Sequence, residues 1–127
     1  MTRQLKYRSR VVSVGDLVGE FVSQGILVFF AAGAPDELAE FSVLHEPLTE
    51  PARVEPGDQL RLAAETYGVL AVGEVANDNF AALGHLVVKA NGRSEPEMLG
   101  DVCVEEKPLV GLVAGDEICV FGPERAG

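Results

Sequence analysis

Hydrophobic and polar residues alternate along most of this chain in short runs, and the runs come twice. "VVSVGDLVGEFVSQGILVFFAAG", residues 11–33, lies alongside "VLAVGEVANDNFAALGHLVVKANG", residues 69–92, at an offset of about 58 positions with a one-residue slip. "EPGDQLRL", residues 55–62, lies alongside "VAGDEICV", residues 113–120, in the same order. Each half therefore predicts a strand, a short helix, a strand, an excursion and a further strand. Val11, Val12 and Val14 lead into Gly15-Asp16, where Asp16 is expected to cap a helix of about two turns with Leu17, Val18, Phe21 and Val22 on one face and Gly25 at its end. In the second half Asn77 or Asp78 is expected to cap, Phe80 and Leu83 to face inward, and Gly84 to end the helix. Gly57-Asp58 and Gly115-Asp116 precede the alternating runs "QLRLAA" and "EICVF", which suits a tight turn into a half-buried strand.

Neither copy is large enough to bury its own apolar face. The prediction is an all-β fold with short helices, a pseudo-twofold β-barrel built from two strand-helix-strand-strand repeats at roughly 8–65 and 66–122. A ferredoxin-like α+β sandwich would need helices about twice as long. The inward positions of the alternating strands should be Val12, Val14, Leu27, Phe29, Leu60, Leu62, Leu70, Val72, Leu86, Val88, Val102, Ile118 and Val120.

Length and composition change little in this picture. A chain of 127 residues, 47% hydrophobic and without a low-complexity tract, supports one domain over 1–127 and is too short for two ordinary ones. "ILVFFAA" is far shorter than the roughly 20 residues of a spanning helix, and "MTRQLKYRSRVVSV" has no apolar core of a secretory signal, so the expected location is the cytoplasm. Cys103 and Cys119 fall in no CxxC spacing and are expected as a reduced, packed pair. The net charge of -10 excludes nucleic acid as a partner, since phosphate backbones are held by Lys and Arg clusters. The one basic cluster, Arg3, Lys6, Arg8 and Arg10, reads as the solvated face of an edge strand.

Candidate chemistry narrows to the two histidines. In the register of the repeats His45 corresponds to Val104 and His85 to Ile26, so each imidazole stands where the other copy is apolar. A buried imidazole must find partners for both ring nitrogens, which makes it an expensive packing residue. No third ligand lies at a metal-site spacing, no G-x-S-x-G surrounds Ser13, Ser23, Ser42 or Ser94, and no phosphate-cradling glycine loop is present. The carboxylates are scattered too widely for a general acid/base pair to be chosen by spacing. Two readings stay open at this point: packed histidines, or histidine as a nucleophile, which needs a neutral ring with one available nitrogen.

The segments Phe29 to His45 and Val75 to Gly100 resemble the glucitol/sorbitol-specific enzyme IIA component of the bacterial phosphoenolpyruvate:sugar phosphotransferase system, and the resemblance spans nearly the whole chain. It is carried by Gly33-Ala34-Pro35, Leu38, Phe41 and His45 in the first half and by Asn79, Leu83-Gly84-His85, Glu97 and Gly100 in the second. The resemblance implies a β-rich barrel and a phosphoryl group accepted on His45 from the phosphohistidine of the histidine phosphocarrier protein. It implies onward transfer to a cysteine of a sugar-specific IIB domain, itself associated with the membrane IIC component, with His85 as a second, supporting position and no cofactor or metal. Pro35 would open a short helix whose amides, Asp36 to Leu38, lie close in sequence to His45. The chain departs from the family pattern at Glu46-Pro47, where a small or glycine-containing segment is expected, and at Leu99, where proline is frequent. Glu46 would oppose an incoming phosphoryl group unless it points away. The rival readings are a non-catalytic ligand-binding or regulatory barrel, and a structural subunit whose acidic surface only docks partners.

Overall fold

The computed structural model describes residues 3–124. The runs of β-branched and aromatic residues form eight strands: β1 (Arg3–Val14), β2 (Ile26–Ala31), β3 (Val43–Pro47), β4 (Gln59–Leu62), β5 (Glu65–Val72), β6 (Leu86–Lys89), β7 (Asp101–Val104) and β8 (Glu117–Glu124). Three short helices separate them: α1 (Val18–Val22), α2 (Asp36–Ala39) and α3 (Ala76–Leu83). The strands close into a barrel in the order β1-β3-β2-β6-β7-β5-β4-β8. Exchanging β1 with β5, β2 with β6, β3 with β7 and β4 with β8 maps this cyclic order onto itself, as a pseudo-twofold axis requires. The axis runs between the antiparallel pairs β2/β6 and β4/β8, and each half contributes one parallel pair, β2/β3 or β6/β7. Parallel neighbours need a crossover, and the excursions at 32–42 and 90–100 supply it.

Matched hydrogen bonds extend the symmetry to the corners. Gly15 N donates to Ser42 O and Leu17 N to Glu40 O; in the other half Gly73 N donates to Asp101 O and Val75 N to Leu99 O. Gly57 and Gly115 both take a left-handed backbone, at φ 96° and 97°, and donate to Val69 O and Val11 O. Asp16 caps nothing: the amides of Leu17 and Val18 are already bonded, to Glu40 O and Gly15 O, and α1 starts without a side-chain cap. Asn77 also does not cap: α3 begins at Ala76, and the Asn77 amide instead clamps both backbone groups of Val54, at 2.7 and 2.9 Å.

The barrel interior holds Leu27, Phe29, Leu60, Leu62, Leu86, Val88, Val102, Ile118 and Val120, all expected there. On β1 and β5 the expected phase fails at Val12 and Leu70, which are exposed, and the interior is lined instead by Tyr7, Ser9 and Val11 on β1 and by Tyr67 and Val69 on β5; Val14 and Val72, half-buried beyond them, pack against the core as expected. A register shift interrupts each strand, between Val11 and Ser13 against β3 and between Val69 and Ala71 against β7, and such bulges break strict alternation. Leu83 lies exposed at the end of α3, whereas Phe80 faces inward. β1 is paired on both sides, with β3 and β8, so Arg8 and Arg10 project from the outer face of a closed barrel and not from a free edge. Cys103 and Cys119 are buried free thiols, each pushed up by burial.

Candidate functional site

β3 places Val43 and His45 on the inner face of the barrel and Leu44 and Glu46 on the outer, because successive side chains alternate. His45 is only 1% exposed. Its ring lies among aromatic side chains from two other elements, edge-on to Phe29 of β2 and nearly parallel to Phe80 of α3, with centroids 5.9 and 6.3 Å away. Phe80 in turn meets Tyr7 of β1 edge-on at 4.9 Å. The hydrophobic side of α3 thus closes one end of the barrel over His45.

Both ring nitrogens are occupied. Nδ1 lies 2.6 Å from Ser9 Oγ of β1, and Nε2 lies 2.8 Å from the carbonyl oxygen of Gly84, at the C-terminus of α3. A carbonyl oxygen only accepts, so Nε2 carries the proton and donates to it, and the neutral ring's Nδ1 accepts from the Ser9 hydroxyl. Burial holds the imidazole below its ordinary value of 6.5, opposed in part by the Gly84 carbonyl. The resting ring is neutral, the form that can act as a nucleophile. The linkage has a definite sign. A folded-state pKa below the unfolded one gives stability that is full above about pH 6.5 and is lost as pH falls below it towards the lowered value. The difference in unfolding free energy between the wild type and His45→Ala, measured by urea titration, is therefore expected to shrink on acidification over that window. A pH-independent difference would contradict the buried, neutral ring.

His85 follows Gly84 directly and turns the other way. Its ring stacks on Phe30, with centroids 4.1 Å apart and planes 12° apart, and its Nδ1 lies 3.2 Å from the Phe29 carbonyl oxygen. It is half-buried on the outer side of β2. The fold brings the two histidines to one corner without bringing their rings together: the link between them is the Gly84 carbonyl, bonded to His45 and covalently joined to His85 N. Gly84 has φ 62°, and a Cβ there would meet the backbone nitrogen and Cβ of Ala31 at 2.8 and 2.9 Å, so only glycine fits this approach of helix end to strand. Beside the same corner lies an open, mainly apolar pocket lined by Phe30, Gly33, Pro35, Leu38, Ala82 and Leu83.

Glu46 points away from all of this. Its carboxylate meets the Arg10 guanidinium across the β1/β3 pair at 3.1 Å, with both side chains about half exposed. Such a pair is worth well under ~1 kcal/mol. Glu46→Gln is therefore expected to leave both stability and phosphoryl uptake within twofold of wild type, checked by thermal melting and by rate of labelling. A large gain in uptake would mean that the charge does reach the site.

Ser9 and the Gly84 carbonyl are the partners that sequence reasoning missed. Ser9 offers one signal in the sequence, a polar residue between Tyr7 and Val11 in a strand whose other inward members are apolar, and it is legible only once the strand phase is known. In the twofold-related place the pair is absent: Tyr67 takes the position of Ser9 and Val104 that of His45, as their pairings with Leu60 and Val69 match those of Ser9 with Ile118 and His45 with Val11.

Comparison with known proteins adds to this geometry. Residues 6–119 match the family model of the "PTS system glucitol/sorbitol-specific IIA component". The chain is 34% identical over 98 residues to the glucitol/sorbitol-specific EIIA components of Escherichia coli (strain K12) and Shigella flexneri, covering 77% of this chain and 80% of each relative. The crystal structure of a PTS system IIA component from Enterococcus faecalis V583 superimposes with a TM-score of 0.76 at 20% identity, over 87% of this chain and 96% of that one, and so shares the fold. Among the described residues no helix is long and apolar enough to cross a membrane. The chain belongs to the glucitol/sorbitol-specific IIA components of the phosphotransferase system, and its role there is that of a phosphoryl carrier working with a phosphocarrier protein and a IIB component.

Proposed function

We propose that His45 is the residue that carries the phosphoryl group. The donor is the phosphohistidine of the histidine phosphocarrier protein, the recipient a cysteine of a sugar-specific IIB domain, and the sugar a polyol of the glucitol/sorbitol type named for its relatives. The observation that carries this reading is a neutral imidazole whose Nε2 meets the helix-end carbonyl of Gly84, beside an open pocket. A non-catalytic barrel has no use for such a ring, and the family match does not favour that alternative.

The chemistry is an in-line displacement at phosphorus, in which the protein supplies mainly alignment. The lone pair of Nε2 forms the new P–N bond while the donor's P–N bond breaks and its electron pair returns to the donor ring. For that, the Gly84 carbonyl must move off Nε2 and the ring proton must sit on Nδ1. The closed corner is thus the resting form, and the hinge is the Leu83-Gly84-His85 segment that joins α3 to β6. His85 supports the reaction from outside the ring: its stack on Phe30 and its contact with Phe29 O set where the corner rests. Incubation with phosphoenolpyruvate, enzyme I and the phosphocarrier protein, followed by intact mass measurement, is expected to add one phosphoryl group. That group should be lost in mild acid and retained in base, as a phosphoramidate is. A chain that gains no mass under these conditions is not the carrier proposed.

A further inference from the structure

We propose that Ser9 is a positioning residue that sets which nitrogen of His45 carries the proton, and that its hydroxyl reverses direction between the free and the phosphorylated protein. The inference rests on His45 being the carrier. In the free protein Oγ–H donates to Nδ1 at 2.6 Å, which leaves the single ring proton on Nε2, where Gly84 O accepts it at 2.8 Å. With a phosphoryl group on Nε2 that site has no proton to donate. The ring proton then resides on Nδ1, and among the described residues its one acceptor at hydrogen-bond distance is Ser9 Oγ, itself fully buried. A hydroxyl can serve both states because it donates or accepts by rotating its hydrogen, whereas a carboxylate or an amide N–H could serve only one.

The proton count is unchanged by the switch. One ring proton is present before and after, moved from Nε2 to Nδ1, and the only bonds made and broken at phosphorus are the two P–N bonds of transfer. The proton on Nδ1 has a consequence for onward transfer. When the P–N bond breaks, its electron pair returns to a ring that is already protonated, so the departing group is neutral imidazole and not the far poorer imidazolate. Ser9 stabilises that protonated phospho-form and so favours release of the phosphoryl group. The twofold-related position argues that this pairing is specific to the site: Tyr67 stands there beside Val104 and spends its hydroxyl on the backbone, accepting from Val110 N at 2.9 Å and donating to Pro108 O at 3.0 Å. The groups shown around the His45 ring are Ser9 of β1, Phe29 of β2, Phe80 of α3 and the Gly84 carbonyl, and beside Ser9 stands a second titratable group, the Tyr7 phenol, pushed up by burial and pulled part of the way back by the Ser9 hydroxyl.

The test uses the intact chain with nitrogen-15 in its histidines, of which there are two. In the free wild type, Nδ1 of His45 should resonate as a hydrogen-bonded lone-pair nitrogen and Nε2 as the protonated one. Ser9→Ala should move Nδ1 to the position of an unbonded lone pair, and Ser9→Thr should restore it. In the phosphorylated protein, the ionisation of the phosphoimidazole followed by phosphorus NMR should fall by about one pH unit in Ser9→Ala, the equivalent of one hydrogen bond to a charged ring, and return in Ser9→Thr. Discharge to unphosphorylated phosphocarrier protein above that pH should slow about tenfold in the alanine variant. A wild-type Nδ1 resonance and a wild-type ionisation in Ser9→Ala would overturn the assignment, as would a free protein in which Nδ1 carries the proton. If the wild type took no phosphoryl group at all, the carrier reading would fail, while the free-protein resonances would still judge whether Ser9 sets the tautomer.

Discussion

His45→Ala is expected to take up no phosphoryl group at all, and His85→Ala to take it up slowly, on the order of ten- to a hundredfold below wild type, when both are incubated with phosphoenolpyruvate, enzyme I and the phosphocarrier protein. The asymmetry follows from where the two rings stand. Removing the His45 ring removes the one side-chain nitrogen that the described residues place on the inner face beside Gly84, and the neighbours described there do not replace it: Phe29 and Phe80 have no lone pair, and the Ser9 hydroxyl loses the imidazole as its base. Removing the His85 ring leaves the proposed nucleophile intact. What is lost is the stack on Phe30 and the contact with Phe29 O, which hold the corner whose carbonyl meets Nε2. A corner that rests differently misplaces the reacting atoms, and a misplacement of roughly 1 Å is worth about a hundredfold in rate. The readout is the rate of mass gain, with melting temperature measured beside it so that loss of folding is not mistaken for loss of chemistry. Label lost only in His85→Ala would move the nucleophile to His85. Full labelling in both variants would remove the phosphoryl group from both histidines and leave the carrier role with some other residue.

The sequence made the turns legible because glycine is the residue with the narrowest physical excuse. Gly15, Gly57, Gly73, Gly84 and Gly115 stand at corners that either demand a left-handed backbone or leave no room for a Cβ, and their repetition at a near-constant offset exposed the twofold barrel. His45 was legible for a related reason: set against Val104 it is a polar residue where the other copy needs none. The phase of β1 was not legible, since Val11 and Val12 are both apolar and the bulge falls at Val12, so nothing in the run says which of the two faces in. With that phase lost, Ser9 reads as a surface serine and its bond to His45 disappears from view. The other partner of His45 is a backbone carbonyl, which no side-chain pattern can announce. The helix caps failed in the same way: Asp16 and Asn77 have the right chemistry for caps, but Glu40 O from the crossover excursion takes the Leu17 amide beside Asp16, and Asn77 lies inside α3 with its side chain on the backbone of Val54.

Gly15→Ala and Gly73→Ala are expected to be the most destabilising single-atom additions in the barrel, each lowering the unfolding free energy by about 3 to 5 kcal/mol. Neither glycine has an unusual φ; the constraint is space. A Cβ on Gly15 would fall on the carbonyl oxygens of Ala39 and Glu40, and one on Gly73 on the carbonyl groups of Leu99 and Met98, well inside the 3.0 Å that real Cβ atoms keep. These obstacles are backbone and cannot swing aside as a side chain could. To admit the methyl group, the β1–α1 corner must lift from residues 39–42, which strains the bonds Gly15 N to Ser42 O and Leu17 N to Glu40 O; the β5–α3 corner must lift from residues 98–101 in the matching way. Overpacking costs about 1 to 3 kcal/mol and each weakened hydrogen bond about 0.5 to 1.5 more. Against a total of roughly 5 to 15 kcal/mol for a domain, that is a large fraction. Gly19→Ala supplies the control, because it lies within α1 with nothing near its missing Cβ, and there alanine should stabilise by about 0.5 to 1 kcal/mol through helix propensity alone. Urea titration of the three variants gives the comparison directly. A Gly15→Ala protein as stable as Gly19→Ala would mean that the corner is not closed as described, and with it the segment from Ala39 to Ser42 that leads β3 to His45.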